Sequence, residues 1–440
     1  DEGTVFMTGL QALARLPIEQ LRADRRAGLR TAAFAAGYPG SPLGGLDRAL
    51  AIATREAPEL PITLRPSVNE EYAATAVMGS QLATTRPDAR YDGVVGLWYG
   101  KAPGVDRASD ALRHAAFAGT DPHGGAIVLA GDDPAAKSST IPSSSAGALA
   151  SMHIPVLYPG DPAEALDLGR HAIALSRASG LWVSLKIVAD VADGASTVTL
   201  DPDRIVPVIP TIEGTPYEHR RTSVLVSQLS LEVEREIIEV RAPLALEYAA
   251  ANRLNHVTID PPDAWFGIIA SGITYRELRE ALRRIGLETD AEIASAGIRL
   301  LKLGMPLPFN SSTIRGFAQG LERILVVEEK APNVESLVKD ALYNASHHPA
   351  VVGRTDEYER PLLTAAGALH ADEIIPVLRA ELSARLGQRL RPESPVREQI
   401  PLSVSRTPYC SAGSPHNRST TVEEGTLVGA GIGCHTMVLL

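Results

Sequence analysis

Short apolar runs alternate, along the first half of the chain, with segments whose apolar residues recur every three or four positions. The helical spacing is clearest at residues 8–27 and 70–83. Strands that alternate with helices predict a doubly wound parallel sheet of the α/β class, which binds ligands at the carboxyl ends of its strands. The runs typical of strands buried on both faces lie at residues 30–37, 92–97, 125–130, 154–157 and 181–188.

The second half repeats the alternation after a proline-rich stretch at residues 201–216. We predict strands at residues 265–272 and 323–330, helices at 222–255, 276–286 and 334–343, and polar linkers at 354–363 and 391–408. A run at 429–434 is typical of a strand entering a third α/β unit, so we expect the chain to be incomplete or to depend on another chain. The predicted division is an α/β domain at 1–200, a helical connector at 201–260, a second α/β domain at 261–385, and a linker with the start of a third domain at 386–440.

Composition narrows the class of protein. The chain has 440 residues and a net charge of −10, which argues against nucleic-acid binding because phosphates require a basic surface. No apolar run approaches the roughly 20 residues that span a bilayer, so no membrane span is expected. Two cysteines, Cys410 and Cys434, exclude a disulfide scaffold and favour the reducing cytoplasm.

A glycine- and proline-rich loop follows the first buried run. It reads Gly-Tyr-Pro-Gly-Ser-Pro-Leu-Gly-Gly at residues 37–45. Glycine lets a backbone approach a ligand closely and proline stiffens that approach, which makes Pro39, Gly40 and Ser41 candidate ligand contacts. A plain strand–helix turn, with Ser41 capping the next helix, explains the composition equally well.

Two carboxylates, Glu70 and Glu71, stand at the start of the predicted helix at 70–83. The helix dipole alone explains negative charge there. Ala73, Ala74 and Gly79 form a small-residue face that would let another element approach closely. A carboxylate in the dry site this creates could exchange a proton with a heterocyclic nitrogen, so Glu70 is the candidate catalytic residue.

Charged residues also follow two other predicted strands. Lys101 and Arg107 could bind a carboxylate or a diphosphate, although solvated loop charges explain them as well. Asp132 and Asp133 could hold Mg²⁺, but an Asp-Asp-Pro sequence more often forms a turn.

The motifs resemble those of one family, the long form of indolepyruvate ferredoxin oxidoreductase. The resemblance runs from about residue 4 to the end of the chain. It is carried by residues 6–17, 37–45, 98–107, 131–140, 324–330, 414–420 and 430–435.

The resemblance implies an enzyme that converts 2-oxo acids and coenzyme A to acyl-CoA and CO₂ and passes electrons to ferredoxin. It implies thiamine diphosphate held between a pyrimidine-binding domain and a diphosphate-binding domain, with a transketolase C-terminal-like domain between the two in sequence. Glu70 matches the carboxylate that bonds the aminopyrimidine ring. Ser41 matches the position that faces substrate, and Lys101 or Arg107 would contact the substrate carboxylate or coenzyme A.

The chain also departs from that family. The resemblance implies a 4Fe-4S cluster, for which Cys434 keeps its place, while Cys410 is one residue out of register and serines occupy positions 411 and 414. The Gly-Asp-Gly diphosphate motif is absent, so Mg²⁺ would be held by a segment or partner outside this chain. Further subunits or copies of the chain are expected partners.

Two other functions fit the same sequence. One is a non-catalytic paralogue or scaffold subunit, which the altered cysteines favour. The other is a thiamine-diphosphate decarboxylase without redox chemistry. The presence of an iron–sulfur cluster would distinguish the ferredoxin-linked enzyme from both of these alternatives.

Overall fold

A computed structural model describes residues 2–392 and 410–429, and residue contacts divide the chain into Asp1–Arg391 and Pro392–Leu440. The first unit contains a six-stranded sheet, a five-stranded sheet and a two-stranded ribbon. The strands are β1 (Gly3–Thr8), β2 (Thr31–Gly37), β3 (Ile62–Leu64), β4 (Gly93–Lys101), β5 (Ala126–Asp132), β6 (Val156–Leu157), β7 (Val183–Val188), β8 (Ala195–Leu200), β9 (Asn255–Ile259), β10 (Phe266–Ser271), β11 (Ile298–Leu303), β12 (Arg323–Val327) and β13 (Ala350–Val352).

Helices cover both faces of the two larger sheets. A single 3₁₀ turn spans Ala83–Thr85, and a π-helical segment spans Ile237–Arg241. The α-helices are α1 (Gly9–Arg26), α2 (Leu46–Glu56), α3 (Glu70–Gln81), α4 (Ala102–Arg107), α5 (Ser109–Ala118), α6 (Ala146–Ser151), α7 (Pro162–Ser179), α8 (Ala189–Asp193), α9 (Ser227–Glu236), α10 (Ala242–Ala251), α11 (Gly272–Arg284), α12 (Asp290–Ser295), α13 (Ser311–Phe317), α14 (Asn333–Tyr343), α15 (Ala371–Leu386) and, in the second unit, α16 (His416–Ser419).

The six-stranded sheet has the order β3-β2-β4-β5-β7-β6, and all of its strands are parallel. Successive residues of β4 alternate between the two cores. Leu97 joins the cluster under α1 and α7, while Trp98 joins the cluster under α3 and α5. Every residue of β5 and β7 is buried, which is why these strands appear in the sequence as unbroken apolar runs. The predicted α/β class with a doubly wound parallel sheet is confirmed.

The five-stranded sheet has the order β13-β12-β10-β11-β9, with only β9 antiparallel among the described strands. Its predicted strands and helices are present at β10, β12, α11 and α14, although α11 begins four residues earlier than expected, at Gly272. The segment at residues 354–363, predicted as a polar linker, contains no helix and only an isolated bridge between Thr355 and Pro361. This segment folds back on itself, with the Leu362 N–H donating to the Arg354 carbonyl at 2.9 Å, and Leu363 is buried in the core.

Two further predictions concern the helix at residues 222–255 and the third α/β unit. The predicted helix at residues 222–255 is shorter, because α9 begins at Ser227 and α10 ends at Ala251. The third α/β unit predicted from residues 429–434 lies outside the described residues, apart from position 429. Among the described residues, no helix combines the length and apolar character that crossing a membrane requires.

Candidate functional site

The carboxyl ends of β2 and β4 place the two predicted ligand loops side by side. Gly37 pairs with Tyr99 in the parallel register, so the loop after β2 and the start of α4 leave the sheet at neighbouring points. The segment leading into α3 joins them, because the Ser67 N–H donates to the Gly37 carbonyl at 2.8 Å. Glu70 begins α3 three residues later. One edge of the sheet therefore gathers the loop at 37–45, Glu70 and the end of β4.

Glu70 is buried, two hydrogen bonds hold the backbone at the start of its helix, and a glycine leaves room for its side chain. The Asn69 side chain caps α3 by accepting a hydrogen bond from the Tyr72 N–H at 2.9 Å. The Trp98 indole N–H donates to the Glu70 backbone carbonyl at 3.0 Å. A Cβ added at Gly104 would lie 2.7 Å from Glu70 Oε1. Only a glycine in α4 leaves room for the carboxylate in this position.

The Glu70 carboxylate has an unusual environment. Its side chain is 8% exposed, and its nearest cation is Arg107, whose Nε lies 3.9 Å from Oε2. Within residues 2–392 and 410–429, no group donates a hydrogen bond to this carboxylate. Neither of its oxygens is among the fully enclosed polar atoms that lack a partner in the described residues, so the carboxylate keeps some contact with solvent. Such a group is typical of a site that a ligand completes.

The small-residue face behind Glu70 was predicted correctly in part. Ala73 and Ala74 are fully buried against the sheet. Gly79 is exposed, and a Cβ added there would meet nothing within 4 Å. The prediction that Gly79 allows a close approach was therefore wrong, because it lies on the opposite side of α3.

Lys101 lies across the loop that follows β2. A Cβ added at Gly40 would be 3.0 Å from Lys101 Cδ, so the absence of a side chain at Gly40 makes room for the lysine stem. Lys101 is the last residue of β4, in agreement with its predicted place at a strand end. Arg107 is 58% exposed and ends α4. Both cations thus reach the same edge as Glu70, Lys101 beside the loop and Arg107 beside the carboxylate.

The prediction that Ser41 caps the following helix was wrong. α2 begins at Leu46, and its N-cap is Gly45, which makes no side-chain cap. The Ser41 hydroxyl instead contacts the hydroxyl of Ser138, which comes from the segment after β5. Pro39 is exposed. The loop is thus held by a long-range contact, and its serine hydroxyl stays near the end of β4.

Asp132 and Asp133 occupy different environments, although they are adjacent. Both oxygens of Asp132 accept from the Ser145 N–H at 3.1 Å, and Lys186 Nζ lies 3.9 Å from Oδ2. Burial raises the pKa of Asp132 to about 6, although Lys186 and Ser145 oppose that shift. Asp132 is completely enclosed.

Asp133 closes the turn that the sequence favoured. Its two carboxylate oxygens accept from the backbone N–H groups of Lys137 and Ser138, each at 2.9 Å. Its burial raises its pKa, but these hydrogen bonds and those from Ser139 outweigh that effect, and the net shift is downward. Its oxygens are therefore occupied by the chain itself.

Several residues of this edge were missed at the level of sequence. Trp98, Gly104 and Ser138 each touch a predicted site residue, and they are 28, 34 and 97 positions away from their partners in the chain. Gly104 in the run Ala-Pro-Gly was the one available signal, because a glycine at the start of a helix indicates a close approach. The contacts of Trp98 and Ser138 depend on strand register.

The cysteine positions are incompletely described. Cys410 is half-buried in the second unit, and Cys434 lies outside the described residues. Within the part of the chain that the structure describes, no three His, Cys, Asp or Glu side chains are grouped as a metal site. A 4Fe-4S cluster takes four cysteine thiolates, and the 440 residues contain two, so these residues do not fit a cluster by themselves.

The fold is shared with an enzyme of 2-oxo acid metabolism. The structure of 2-oxoglutarate:ferredoxin oxidoreductase from Magnetococcus marinus, with 2-oxoglutarate, coenzyme A and succinyl-CoA bound, aligns with a TM-score of 0.61. The alignment covers 87% of this chain and 66% of that one, at 15% identity. The chain therefore shares the α/β fold of that structure.

Sequence comparison gives the narrower relationship. Residues 256–406 match the family described as the indolepyruvate oxidoreductase domain. The IorA subunit of indolepyruvate oxidoreductase from Methanothermobacter thermautotrophicus is 27% identical over 80% of this chain and 51% of its own length. The subunit from Archaeoglobus fulgidus is 28% identical over 76% of this chain and 48% of its own length. The chain is similar to IorA subunits, which confirms the predicted resemblance, and it spans about half the length of these curated relatives.

Proposed function

We propose that this chain forms the pyrimidine-binding half of a thiamine-diphosphate-dependent 2-oxo acid oxidoreductase. The reaction would convert a 2-oxo acid and coenzyme A to acyl-CoA and CO₂. The observation that carries the proposal is the Glu70 carboxylate, which is buried at the carboxyl edge of a parallel sheet without a hydrogen-bond donor among the described residues. The similarity to IorA subunits supports the same assignment.

The residues present fit the aminopyrimidine ring of the cofactor. Glu70 would hold a ring nitrogen and share its proton, which supplies the donor that the carboxylate lacks. When bound, thiamine diphosphate would supply a thiazolium carbon that is acidic enough to lose its proton and become a nucleophile toward the carbonyl of the 2-oxo acid. Gly104 and Trp98 hold Glu70 in place, and the apolar core behind α3 excludes water from its inner side.

An apolar rim surrounds this edge of the sheet. Tyr38, Val68 and Tyr72 lie on the loop and helix of this edge and are exposed, although large apolar side chains are usually buried. We expect the diphosphate-binding half, from another segment or a partner subunit, to cover this rim and to hold Mg²⁺. Further copies of the chain are also expected in the assembly.

Three residues are our candidates for substrate contact. Ser41, Lys101 and Arg107 reach the edge that contains Glu70, and the two cations there attract an anion. We assign Lys101 and Arg107 to the substrate carboxylate or to coenzyme A. Pro39 and Gly40 shape the loop that lets Lys101 lie close.

Electron transfer to ferredoxin would require an iron–sulfur cluster. Two cysteines do not complete a cluster, so Cys410 and Cys434 would need thiolates from elsewhere. The cysteine count is also the basis for proposing a cytoplasmic location. A scaffold subunit without cluster is the second candidate, and the serines at positions 411 and 414 favour it. Iron analysis of the anaerobically purified complete protein separates the two.

Replacement of Glu70 by Gln tests the main proposal. Glutamine keeps the size of the side chain but cannot take the proton, so we expect the turnover of 2-oxo acids to fall by about 100-fold or more. Thermal unfolding should be nearly unchanged. The measurement is the steady-state rate of the complete protein with thiamine diphosphate, Mg²⁺, coenzyme A and an electron acceptor.

Glu71→Gln is the matched control. Glu71 neighbours Glu70 in the first turn of α3, but it is exposed. Its replacement should leave the rate within about twofold of the wild type, because exposed helix-end charges contribute only a few tenths of a kcal/mol. If Glu70→Gln behaves like this control, Glu70 does not act on the cofactor and the proposed function is wrong.

A further inference from the structure

The segment after β5 reaches across the sheet edge to the loop after β2. The hydroxyl of Ser138 contacts the hydroxyl of Ser41, and the two residues are 97 positions apart in the chain. Either oxygen can be the donor in this contact. Sequence analysis assigned a role to Ser41 and none to Ser138.

Ser138 is held in place by a built turn. Asp133 is 1% exposed and accepts from the backbone N–H groups of Lys137 and Ser138, each at 2.9 Å. The Lys137 ammonium contacts the Asp190 carboxylate in α8, which fixes the outer side of the turn. The backbone of Ser138 is thus tied to a buried carboxylate, and the contact with Ser41 places its hydroxyl.

The loop that carries Ser41 is fixed against the same strand. A Cβ added at Gly131 in β5 would lie 2.9 Å from Leu43 Cγ and 3.0 Å from Pro42 Cδ. The loop thus packs directly on the strand from which the turn of Asp133 departs. Both serines are therefore positioned by the end of β5, and neither contact depends on a ligand.

A hydroxyl that donates to another hydroxyl leaves the second one free to direct its own proton elsewhere. If Ser138 donates to Ser41, the Ser41 proton is directed away from Ser138 and toward an acceptor at the sheet edge, where Lys101 and Glu70 also lie. Hydrogen bonds in such a chain strengthen one another. The carboxylate or keto oxygen of a 2-oxo acid is an acceptor of the required kind.

We propose that Ser138 is a positioning residue that orients the Ser41 hydroxyl toward the 2-oxo acid, with the Asp133 turn as its support. This inference rests on the function proposed above. It adds a second hydroxyl to the substrate-facing loop and gives the segment after β5 a part in substrate binding.

Kinetics of Ser138→Ala in the complete protein test the proposal. We expect the KM for the 2-oxo acid to rise about three- to tenfold, the effect of one lost hydrogen bond, while kcat stays within about twofold. Thiamine diphosphate binding, followed by calorimetry, should be unchanged because the Glu70 side of the site is intact. Ser138→Thr keeps a hydroxyl and should restore the wild-type KM.

Thr140→Ala is the control, because Thr140 is exposed two residues further along the same segment. It should leave the KM unchanged. If Ser138→Ala keeps the wild-type KM while Ser41→Ala raises it, Ser138 does not orient Ser41 and the inference is wrong by itself. If the wild type binds no thiamine diphosphate and Glu70→Gln matches it in every assay, the proposed function has failed, and this inference falls with it.

Discussion

At the scale of single residues, the site depends on one glycine as much as on its carboxylate. Gly104 lies in the first turn of α4, which faces Glu70, and any side chain there would enter the space of the Glu70 carboxyl group. The Glu70 side chain is flexible and can move aside at small cost. What it would lose is the orientation that the proposed cofactor contact requires, because a displacement of about 1 Å is enough to weaken catalysis strongly.

Gly104→Ala should therefore separate function from stability. We expect the affinity for thiamine diphosphate to fall about tenfold or more, and the free energy of unfolding to change by less than about 1 kcal/mol, since alanine also favours a helix over glycine. Calorimetric binding and urea unfolding of the complete protein measure the two quantities. Gly79→Ala is the control. A Cβ at this position in α3 would meet nothing within 4 Å, so the variant should bind thiamine diphosphate with wild-type affinity. Equal affinities in both variants would contradict the close packing of Gly104 on the carboxylate.

At the scale of helices and strands, the strands that are buried throughout are the ones that the sequence pattern predicts. Strands β5 and β7 are buried throughout and were predicted from their apolar runs. β11 was missed because Arg299 and Lys302 interrupt its apolar pattern. In the structure Arg299 bonds Asp260 at 2.6 Å, and Lys302 contacts Glu164, so the partners that make these charges acceptable are distant in sequence. The ribbon β1–β8 was missed for the same reason, since 197 positions separate Gly3 from its partner Leu200 in the chain, and β1 is largely exposed.

The site residues divide in the same way, into those that the local sequence pattern marks and those that depend on contacts distant in sequence. Glu70, Ser41 and Lys101 could be predicted because each stands next to a strand end or helix start that the local pattern marks. Their contacts with Gly104 and Ser138 could not, because these depend on the parallel register and on turns between strands. Sequence alone therefore identified one edge of the sheet but did not identify how its residues are held.

A buried ion pair connects α1 and α7, the two longest helices on one face of the six-stranded sheet. The Arg177 guanidinium donates to both carboxylate oxygens of Asp24, each at 2.7 Å, and Thr31 in β2 donates to the same carboxylate at 2.6 Å. Burial alone would raise the pKa of Asp24, but the hydrogen bonds and charge of Arg177 outweigh it, and the net pKa is lowered. The pair therefore stabilises the fold above the usual aspartate pKa and loses this contribution as the pH falls through the lowered value.

Asp24→Asn should destabilise the protein by about 3–5 kcal/mol at pH 7, because it leaves the Arg177 charge buried without its partner. Urea unfolding gives this value directly. The comparison is Glu280→Gln, which removes a partly exposed carboxylate from its pairs with Arg283 and Arg284 in α11. That change should cost no more than about 1 kcal/mol. Similar losses in the two variants would show that the Asp24 pair adds little beyond a surface contact.

At the scale of the whole first unit, the carboxyl edges of the two parallel sheets meet around buried charge. The Tyr158 hydroxyl, after β6, donates to Glu329 at 3.2 Å, and Lys186 Nζ in β7 lies 4.3 Å from the Tyr158 ring centre. Backbone pairing adds to this junction, since the Val156 N–H donates to the Leu307 carbonyl at 2.7 Å. The two sheets are thus joined by buried polar groups that depend on one another as hydrogen-bond or charge partners.

Glu328 makes this junction sensitive to pH. Its carboxylate accepts from the Val334 N–H at 2.9 Å at the start of α14, but burial outweighs that bond and the charges of Lys186 and Arg354, and raises its pKa to about 7. The folded chain therefore keeps the proton of Glu328 at a pH where the unfolded chain, with a pKa of 4.5, has lost it. Stability from this group is full below about pH 4.5 and is lost as the pH rises to about 7.

Glu328→Gln should remove that dependence. Between pH 5 and pH 8 we expect the wild-type free energy of unfolding to fall by about 2–3 kcal/mol more than that of the variant, because two pKa units separate pH 5 from the folded-state value. Urea unfolding at both pH values measures the difference. Glu322→Gln, at a position 60% exposed in its pair with Arg385, should follow the wild-type curve. If Glu328→Gln also follows the wild-type curve, Glu328 does not hold a proton at neutral pH in the folded chain. The charge of Glu328 would then cost the junction between the sheets no stability.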